Sequence, residues 1–404
     1  MRTVAVLGNS SAALSAVETL QDALEGRTRT ELLVVAPRNR FVYSPLIPHV
    51  VSGALRPESV AFDFTDVLAD ATRFECDNLQ TVDLEERAIV CAGNRLSFDY
   101  LLVAPSSRPD WGGCRPADGA CAAWTLEGAS TLRAYLDERV EQFDEHSEPP
   151  DRATRTLAVV GGGAAGIEVA SEIRRAGRPF GEARADVPSS SKPDVPVCVL
   201  EKRSELLPDG PEPLRAACRA HFRSADIWWR TDTAVASCEP NRLELSDGEH
   251  LRVDAVAHCS GTRPPEWLAD SPLPTDQDGR IRVAPNLRVP NTSGLYAAGA
   301  SAAPPDLPAM RAHLAAQQGR RAAENLRADL SGRTLREWRP GDESWLLTLG
   351  SSGAAVFSGD SLMTGRAAGT LYRLRHASWI PEPLADSGAA QTWLREGFHP
   401  DPDR

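Results

Sequence analysis

The chain has 404 residues, 42% of them apolar and 25% charged, with a formal net charge of −12. That length is too great for one small core and predicts two or three domains. The acidic balance excludes nucleic acid as the main partner, and no apolar run approaches the roughly 18 residues of a membrane-spanning helix. The N-terminus enters a strand directly, without a basic-then-apolar signal peptide, which predicts a cytoplasmic protein. Cysteines stand at 76, 91, 114, 121, 198, 218, 238 and 259, and none forms C-x-x-C or the C-x4-C of a redox-active dithiol. Cys114 and Cys121 flank a glycine-rich loop that a disulfide could close; free thiols in a reducing compartment are the plainer expectation.

Arg2 to Leu7 reads as a short strand, followed by Gly8-Asn9-Ser10-Ser11-Ala12-Ala13 and a helix from Leu14 to Leu24. Strand, tight turn and helix is the geometry in which helix N-terminal amides receive a dinucleotide pyrophosphate. Gly8 holds the first glycine position, Ser10 the second and Ala13 the third. A serine at the second adds a side chain where backbone should meet phosphate. The next strand, Glu31 to Val35, ends at Ala36, where a ribose-binding carboxylate would stand. In residues 38–53, Phe41, Tyr43, Pro45, Leu46 and Pro48 make a stiff apolar loop before a short helix. It reads either as a packed loop or as a wall beside a planar cofactor, with His49 inside it. Strands are expected at 60–64, 71–92 and 98–104, the last ending at Pro105. Leu126 to Phe143 is an amphipathic helix, and residues 144–156 are a charged linker.

The strongest motif follows. Leu157-Ala158-Val159-Val160 is an apolar strand, and Gly161-Gly162-Gly163-Ala164-Ala165-Gly166 leads into a helix beginning Ile167-Glu168-Val169. Gly161, Gly163 and Gly166 fill G-x-G-x-x-G. The first permits the sharp turn, the second lets backbone approach a pyrophosphate, and the third lets helix and strand pack closely. The next strand, Val197 to Leu200, ends in Glu201, a carboxylate placed for a ribose 2′-OH. Glu201 repels a 2′-phosphate and favours NADH; Lys202 and Arg203 just beyond it keep NADPH open. A helix is expected over 213–222 and strands over 227–259, closing at Gly261. Gly294 to Ala300 is a strand with a glycine turn, and Pro308 to Leu330 one long helix. Strands Trp345 to Leu349 and Ala354 to Phe357 and a helix Arg366 to Arg375 complete the chain. No histidine spacing suggests a metal ligand set.

Two strand–turn–helix units, with a glycine-turn return near residue 295, resemble the FAD- and NAD(P)H-binding pyridine nucleotide oxidoreductases with two dinucleotide-binding domains. Within them the chain is most similar to the type II NADH dehydrogenases, over roughly residues 1–378, through FVYSPLIPHVVSG, GGGAAGIEVASEI and AAQQGRRAAENL. The resemblance implies FAD in the first domain and NAD(P)H in the second. Hydride would pass from nicotinamide to flavin N5, and two electrons onward to a quinone or another small acceptor. It implies FAD contacts from Gly8, Ser10, Ser11, Ala12, Ala36, Arg38, Pro45, Leu46, Ala104, Pro105, Gly299 and Ala300. NAD(P)H contacts would come from Gly161, Gly163, Ala164, Ala165, Gly166, Glu201 and Gly261. It implies catalytic roles for Glu168 near the flavin–nicotinamide junction, Gln317 and Gln318 beside the quinone, and Tyr43.

The FAD side departs from the family four times, at Ser10, at Ala36, at Ala104-Pro105-Ser106 in place of Ala-Thr-Gly, and at Gly299-Ala300 in place of Gly-Asp. These departures carry a second reading, a redox-inactive nucleotide-binding or interaction subunit. A sulfide:quinone oxidoreductase is a lesser third, since that chemistry needs a late reactive cysteine and none follows Cys259. Prolines at 381 and 383 break the amphipathic C-terminal helix of the family, so membrane contact is expected to be at most peripheral, at the inner face; a homodimer stays open. The expected architecture is α/β with two Rossmann-like domains: an FAD-type domain of residues 1–150 and 265–335, an inserted NAD(P)H domain of 151–264, and a C-terminal region of 336–404.

Overall fold

The structure is a computed structural model that describes residues 1–24, 29–111, 120–145, 156–176, 196–305, 311–341, 344–350 and 353–378. Cys114 and the prolines at 381 and 383 lie outside these residues; Cys121 is a free thiol, so the disulfide that could have closed its loop is not formed. In chain order the elements used below are β1 (Arg2–Leu7), α1 (Ser11–Leu24), β2 (Thr30–Ala36), α2 (Ile47–Val51), β3 (Thr72–Cys76), β4 (Tyr100–Val103), β5 (Ala120–Ala122), α3 (Leu126–Glu145), β6 (Leu157–Val160) and α4 (Ala164–Arg175). They continue with β7 (Val197–Leu200), α5 (Glu212–Ser224), β8 (Ile227–Arg230), β9 (Ala255–His258), β10 (Leu295–Ala297), α6 (Ala312–Leu330), β11 (Trp345–Thr348), β12 (Ala354–Ser358), β13 (Ser361–Thr364) and α7 (Gly365–Ala377).

The chain forms two compact units. The first contains Met1–Val42, Ala61–Arg108 and Thr262–Asp342; the second contains Tyr43–Val60, Pro109–Gly261 and Glu343–Arg404. Residues 43–60 and 109–145, which the sequence reading groups with the first domain, thus lie in the second unit, as do the C-terminal strands. The reason is visible in the packing: α3 lies against β5 and α2, and β11 lies against α4.

In the first unit a five-stranded parallel sheet has the order β10-β4-β1-β2-β3. Its strands are short apolar runs, and Val4 to Leu7 of β1 and Leu32 to Val35 of β2 are buried throughout. Such runs belong in a parallel sheet covered on both faces. Helix α1 begins at Ser11, three residues before the expected start. Ser10 extends it: its carbonyl accepts from Leu14 N–H at 2.9 Å and its Oγ from Ala13 N–H at 3.2 Å, an N-cap arrangement. Helix α1 packs along α6 so closely that a Cβ on Gly319 would lie 2.0 Å from the Ala12 carbonyl oxygen.

The second unit repeats the plan, with the parallel order β5-β9-β6-β7-β8. An antiparallel meander of 235–239, 242–245 and 250–252 turns alternate residues inward, and Leu243 and Leu245 pack with Val160, Leu200 and Val256 of the sheet. A second meander, β11-β12-β13, carries α7. Among the described residues no helix is long and apolar enough to cross a membrane.

Gly319→Ala should push α1 off α6 and cost about 1–3 kcal/mol, as overpacking does. A lowered urea midpoint with an unchanged denaturant slope is the expected result; an unchanged midpoint would show that the helices separate freely.

Candidate active site

The second unit carries the more complete nucleotide site. Gly161 follows β6, where a Cβ would sit 2.5 Å from the Cys259 carbonyl oxygen at the end of β9. A Cβ on Gly166 would sit 1.8 Å from the Gly161 carbonyl, whereas one on Gly163 would meet nothing within 4 Å. The three glycines thus differ in what surrounds them: one lies against the crossing strand, one against the turn, and one leaves open the space before α4. No side chain caps α4, and Ala164 and Ala165 in its first turn are too small to cover its amides, which suits an anion. A cleft of about 420 Å³ opens here, lined among others by Trp111, Gly161, Glu201, Arg203, His258 and Gly261.

Glu201 is buried at the end of β7, and both carboxylate oxygens accept backbone N–H groups, Oε2 from Gly162 at 2.6 Å and Oε1 from Arg203 at 2.8 Å. The carboxylate is thus fixed at the rim of the cleft. The Arg203 guanidinium donates to Asp209 at 2.6 Å, which occupies the nearest arginine that a 2′-phosphate could recruit. His258, stacked with Trp111 at 4.5 Å between ring centroids, is held neutral by burial, which lowers its pKa.

In the first unit the corresponding turn is tight in the same way. A Cβ on Gly8 would lie 2.3 Å from the Ala104 carbonyl oxygen and 2.5 Å from Pro105 Cα. The Ser10 side chain caps the helix N-terminus, where its Oγ accepts the Ala13 N–H at 3.2 Å. It folds into the turn, where its Oγ donates to the Ala104 carbonyl at 2.8 Å. Serine at the second glycine position therefore takes the Ala13 amide for itself, while Ala12 is fully buried behind it. Asn9, which the sequence reading passed over, ties three loops: its Nδ2 donates to the Arg40 carbonyl at 2.7 Å and the Arg38 carbonyl at 3.3 Å, and Ser106 Oγ donates to its Oδ1 at 2.9 Å. Gly299 faces the same turn, since a Cβ there would lie 2.9 Å from Ala12 Cβ. Its N–H donates to Gln318 Oε1 at 2.8 Å. Gln318 is fully buried, and its Nε2 and the nearby buried Ser301 Oγ have no hydrogen-bond partner among the described residues. Gln317 points elsewhere and accepts the Gly341 N–H at 3.0 Å.

The first unit thus brings Gly8, Ser10, Ala12, Ala104, Pro105, Gly299 and Gln318 together, while Gln317 lies apart. Ala36 is buried at the end of β2 and Arg38 is exposed. These residues fit the pyrophosphate half of FAD, with the cradle shaped by backbone and two buried polar side chains in reserve. The carboxylate for the adenosine ribose is absent.

The remaining expected residues belong to a polar cluster inside the second unit. Pro45 and Leu46 lie in a single 3-10 turn, and Tyr372 of α7 donates to the Pro45 carbonyl at 3.4 Å. The buried Tyr43 phenol lies 3.2 Å from His376 Nδ1, and burial raises its pKa. Half-buried Glu168 accepts the Thr348 N–H at 3.0 Å. Burial, with a smaller push from Glu172, raises its pKa to about 8. Glu172, one turn on, is fully buried and accepts the Thr348 hydroxyl at 2.7 Å. Burial alone would raise its pKa, but His49 and Arg175 outweigh it and hold the carboxyl well below the usual range. Sequence reading missed Glu172 and Thr348. The available signal was a glutamate on the α4 face shared with Val169 and Ile173, where a charge must find a partner.

Cys76, Cys91, Cys121, Cys198, Cys218 and Cys259 are free thiols, but Cys238 is in a disulfide, so the expectation of free thiols fails at that residue. Among the described residues no group of His, Cys, Asp and Glu is placed to hold a metal.

A family model for pyridine nucleotide-disulphide oxidoreductases matches residues 2–319, and the chain belongs to that family. It is 26% identical to the demethylphylloquinone reductase NdbB of Synechocystis sp., over 97% of each chain. It is 23% identical to the type II NADH:quinone oxidoreductase Ndh of Mycobacterium tuberculosis, over 93% of this chain and 84% of that one. The fold matches NDH2 of Plasmodium falciparum in complex with NADH at a TM-score of 0.82 and 14% identity, over 99% of each chain. It also matches the sulfide:quinone oxidoreductase of Aquifex aeolicus at a TM-score of 0.79 and 14% identity, over 96% of this chain and 93% of that one. At such identities the structural matches establish the α/β two-Rossmann fold alone.

Glu168 generates a stability prediction. Its folded pKa of about 8 lies above the unfolded value, so the native state keeps a proton that the unfolded chain has released. This contribution is undiminished below the unfolded carboxylate pKa and is lost as pH rises toward 8, by up to roughly 1.4 kcal/mol per pH unit. Glu172 acts only at lower pH, because its shift is downward. Glu168→Gln should flatten the fall in urea-unfolding stability between those limits; an unchanged slope would assign the titration to other groups.

Proposed function

We propose that the chain is an FAD-dependent oxidoreductase that takes hydride from NADH and passes two electrons to a quinone. The observation that carries this reading is the second-unit cleft, where the uncapped α4 N-terminus, the open space at Gly163 and the fixed Glu201 carboxylate meet. Its two nearest-length relatives reported above, a demethylphylloquinone reductase and an NADH:quinone oxidoreductase, favour a quinone as acceptor. The redox-inactive alternative rests on four departures from the family, and the relatives reported above, a reductase and an oxidoreductase, do not favour it.

Gly161, Gly163 and the Ala164 and Ala165 amides receive the NADH pyrophosphate, and Glu201 receives the ribose hydroxyls. Glu201 and the Arg203–Asp209 pair favour NADH over NADPH. FAD would be held by Gly8, Ser11, Ala12 and the Gly299-Ala300 loop, and when bound it would supply a two-electron redox centre. Gln318 holds that loop through the Gly299 N–H, whereas Gln317 is engaged with the Gly341 N–H. Glu168 stores a proton, and Tyr43 with His376 forms a neutral hydrogen-bonding pair. Sulfide chemistry is disfavoured because burial pushes the Cys218 thiol up to about 12 and the Cys259 thiol higher, which removes the thiolate nucleophile. The site of action is cytoplasmic, with membrane contact at most peripheral at the inner face, and a homodimer is compatible with the chain.

The absorbance spectrum of the purified protein, taken before and after anaerobic addition of NADH, tests the reading directly. Flavin bands should bleach with NADH and return on addition of a quinone. A colourless protein that takes up no FAD would overturn it. Glu201→Ala should weaken NADH binding by about 10- to 100-fold, the equivalent of roughly 1–3 kcal/mol, with flavin content unchanged. Equal loss of both would reject the assignment of Glu201 to NADH.

A further inference from the structure

Among the described residues Glu172 is the most deeply buried carboxylate of the second unit, with no exposed surface at all. A buried charge is costly unless it is paired, and replacing such a pair by apolar side chains is often no less stable. Stability alone therefore does not explain it. Three elements serve it. His49 Nδ1 of α2 lies 3.2 Å from Oε1, Thr348 Oγ1 of β11 donates to the same oxygen at 2.7 Å, and Arg175 of α4 lies 3.5 Å from Oε2. Thr348 also donates its N–H to Glu168 Oε1 at 3.0 Å. One residue, the last of β11, therefore fixes both carboxyls, which stand on one face of α4 at the i, i+4 spacing.

The two carboxyls differ in access. Glu172 is sealed, while Glu168 is half-buried and can exchange a proton. The other titratable groups near Glu168 are the Tyr372 phenol of α7, the Cys218 thiol of α5 and the Cys259 thiol after β9, and burial holds all three in their neutral forms. Ser52, just after α2, contributes a hydrogen bond to Glu172. Among these described neighbours, Glu172 is the group that presents negative charge to Glu168.

We propose that Glu172, locked by His49 and Thr348, is a positioning residue whose fixed charge adds to burial in keeping the Glu168 carboxyl protonated until electrons reach the acceptor. This rests on the quinone-reductase reading for its purpose. The overall reaction, NADH + H⁺ + quinone → NAD⁺ + quinol, brings two electrons and one hydrogen nucleus with the hydride. It consumes one further proton. That proton leaves Glu168 as its O–H bond breaks and the O–H bond of the quinol forms, and the resulting carboxylate takes a proton back from solvent. Repulsion from Glu172 favours that return.

Infrared titration of the holoenzyme, without NADH or quinone, tests the coupling. At about pH 6, where ordinary carboxylates are ionised, the wild type should show a carboxylic-acid carbonyl band that Glu168→Gln abolishes. In Glu172→Gln the midpoint of that band should fall by about one pH unit or more, the usual effect of removing a like charge at this range. The alkaline limb of quinone reduction should move by the same amount. His49→Gln, which removes the partner of Glu172 while keeping a polar side chain, should raise a second protonated-carboxyl band. An unmoved midpoint in Glu172→Gln, or a single unchanged band in His49→Gln should the first variant not fold, overturns the proposal. A shifted band in a protein that reduces no quinone supports the charge coupling and overturns the quinone-reductase reading instead.

Discussion

Both nucleotide turns depend on one steric constraint, the close passage of a strand-end backbone beneath a neighbouring strand. After β1 the chain at Gly8 runs against the carbonyl of Ala104, and after β6 the chain at Gly161 runs against the carbonyl of Cys259. Neither contact tolerates a Cβ. The tight turn brings the following helix directly over the sheet, so that its first amides face the carboxyl edge of the strands. In open α/β sheets that edge, where strand order reverses, is where ligands bind. Here the reversal falls beside the central strand of each sheet, β1 flanked by β4 and β2, and β6 flanked by β9 and β7.

The two turns share a backbone and differ in the side chains that complete them. In the second unit the next strand ends in a carboxylate whose oxygens are already held by two backbone N–H groups. Its position is therefore set before any ligand arrives, which lowers the ordering cost of binding. In the first unit the same place holds the methyl group of Ala36, and polar capacity is shifted to Asn9, Ser10 and Gln318. These side chains bind the protein's own loops to one another. In the proposed FAD site, recognition would rely on backbone shape more than on charged contacts.

In the proposed mechanism helix α4 joins nucleotide binding to proton chemistry. Its N-terminus faces the cleft, and one turn further on its buried face carries Glu168 and then Glu172. Each is met by Thr348, and β11 is placed by the C-terminal meander that packs on α4. A change in the late part of the chain can therefore act on the protonation of a residue in the glycine-rich motif.

The sequence alone determined the class of the fold and the place of its nucleotide turns. Apolar runs of four to seven residues, glycines at fixed offsets and a carboxylate at a strand end are local signals, and each depends on contacts within one strand–turn–helix unit. Gly161, Gly163, Gly166 and Glu201 were legible for that reason. Ser10 was legible as a departure, but its consequence was not, because that depends on the Ala104 carbonyl 94 residues away. Gln317 and Gln318 look alike in sequence, yet adjacent helical residues point about 100° apart, and they meet different partners. The pairing of His49, Glu172 and Thr348 was decided only by tertiary structure. Burial and long-range Coulomb interaction set the charge of a carboxyl, and neither is a property of the residues beside it in the chain.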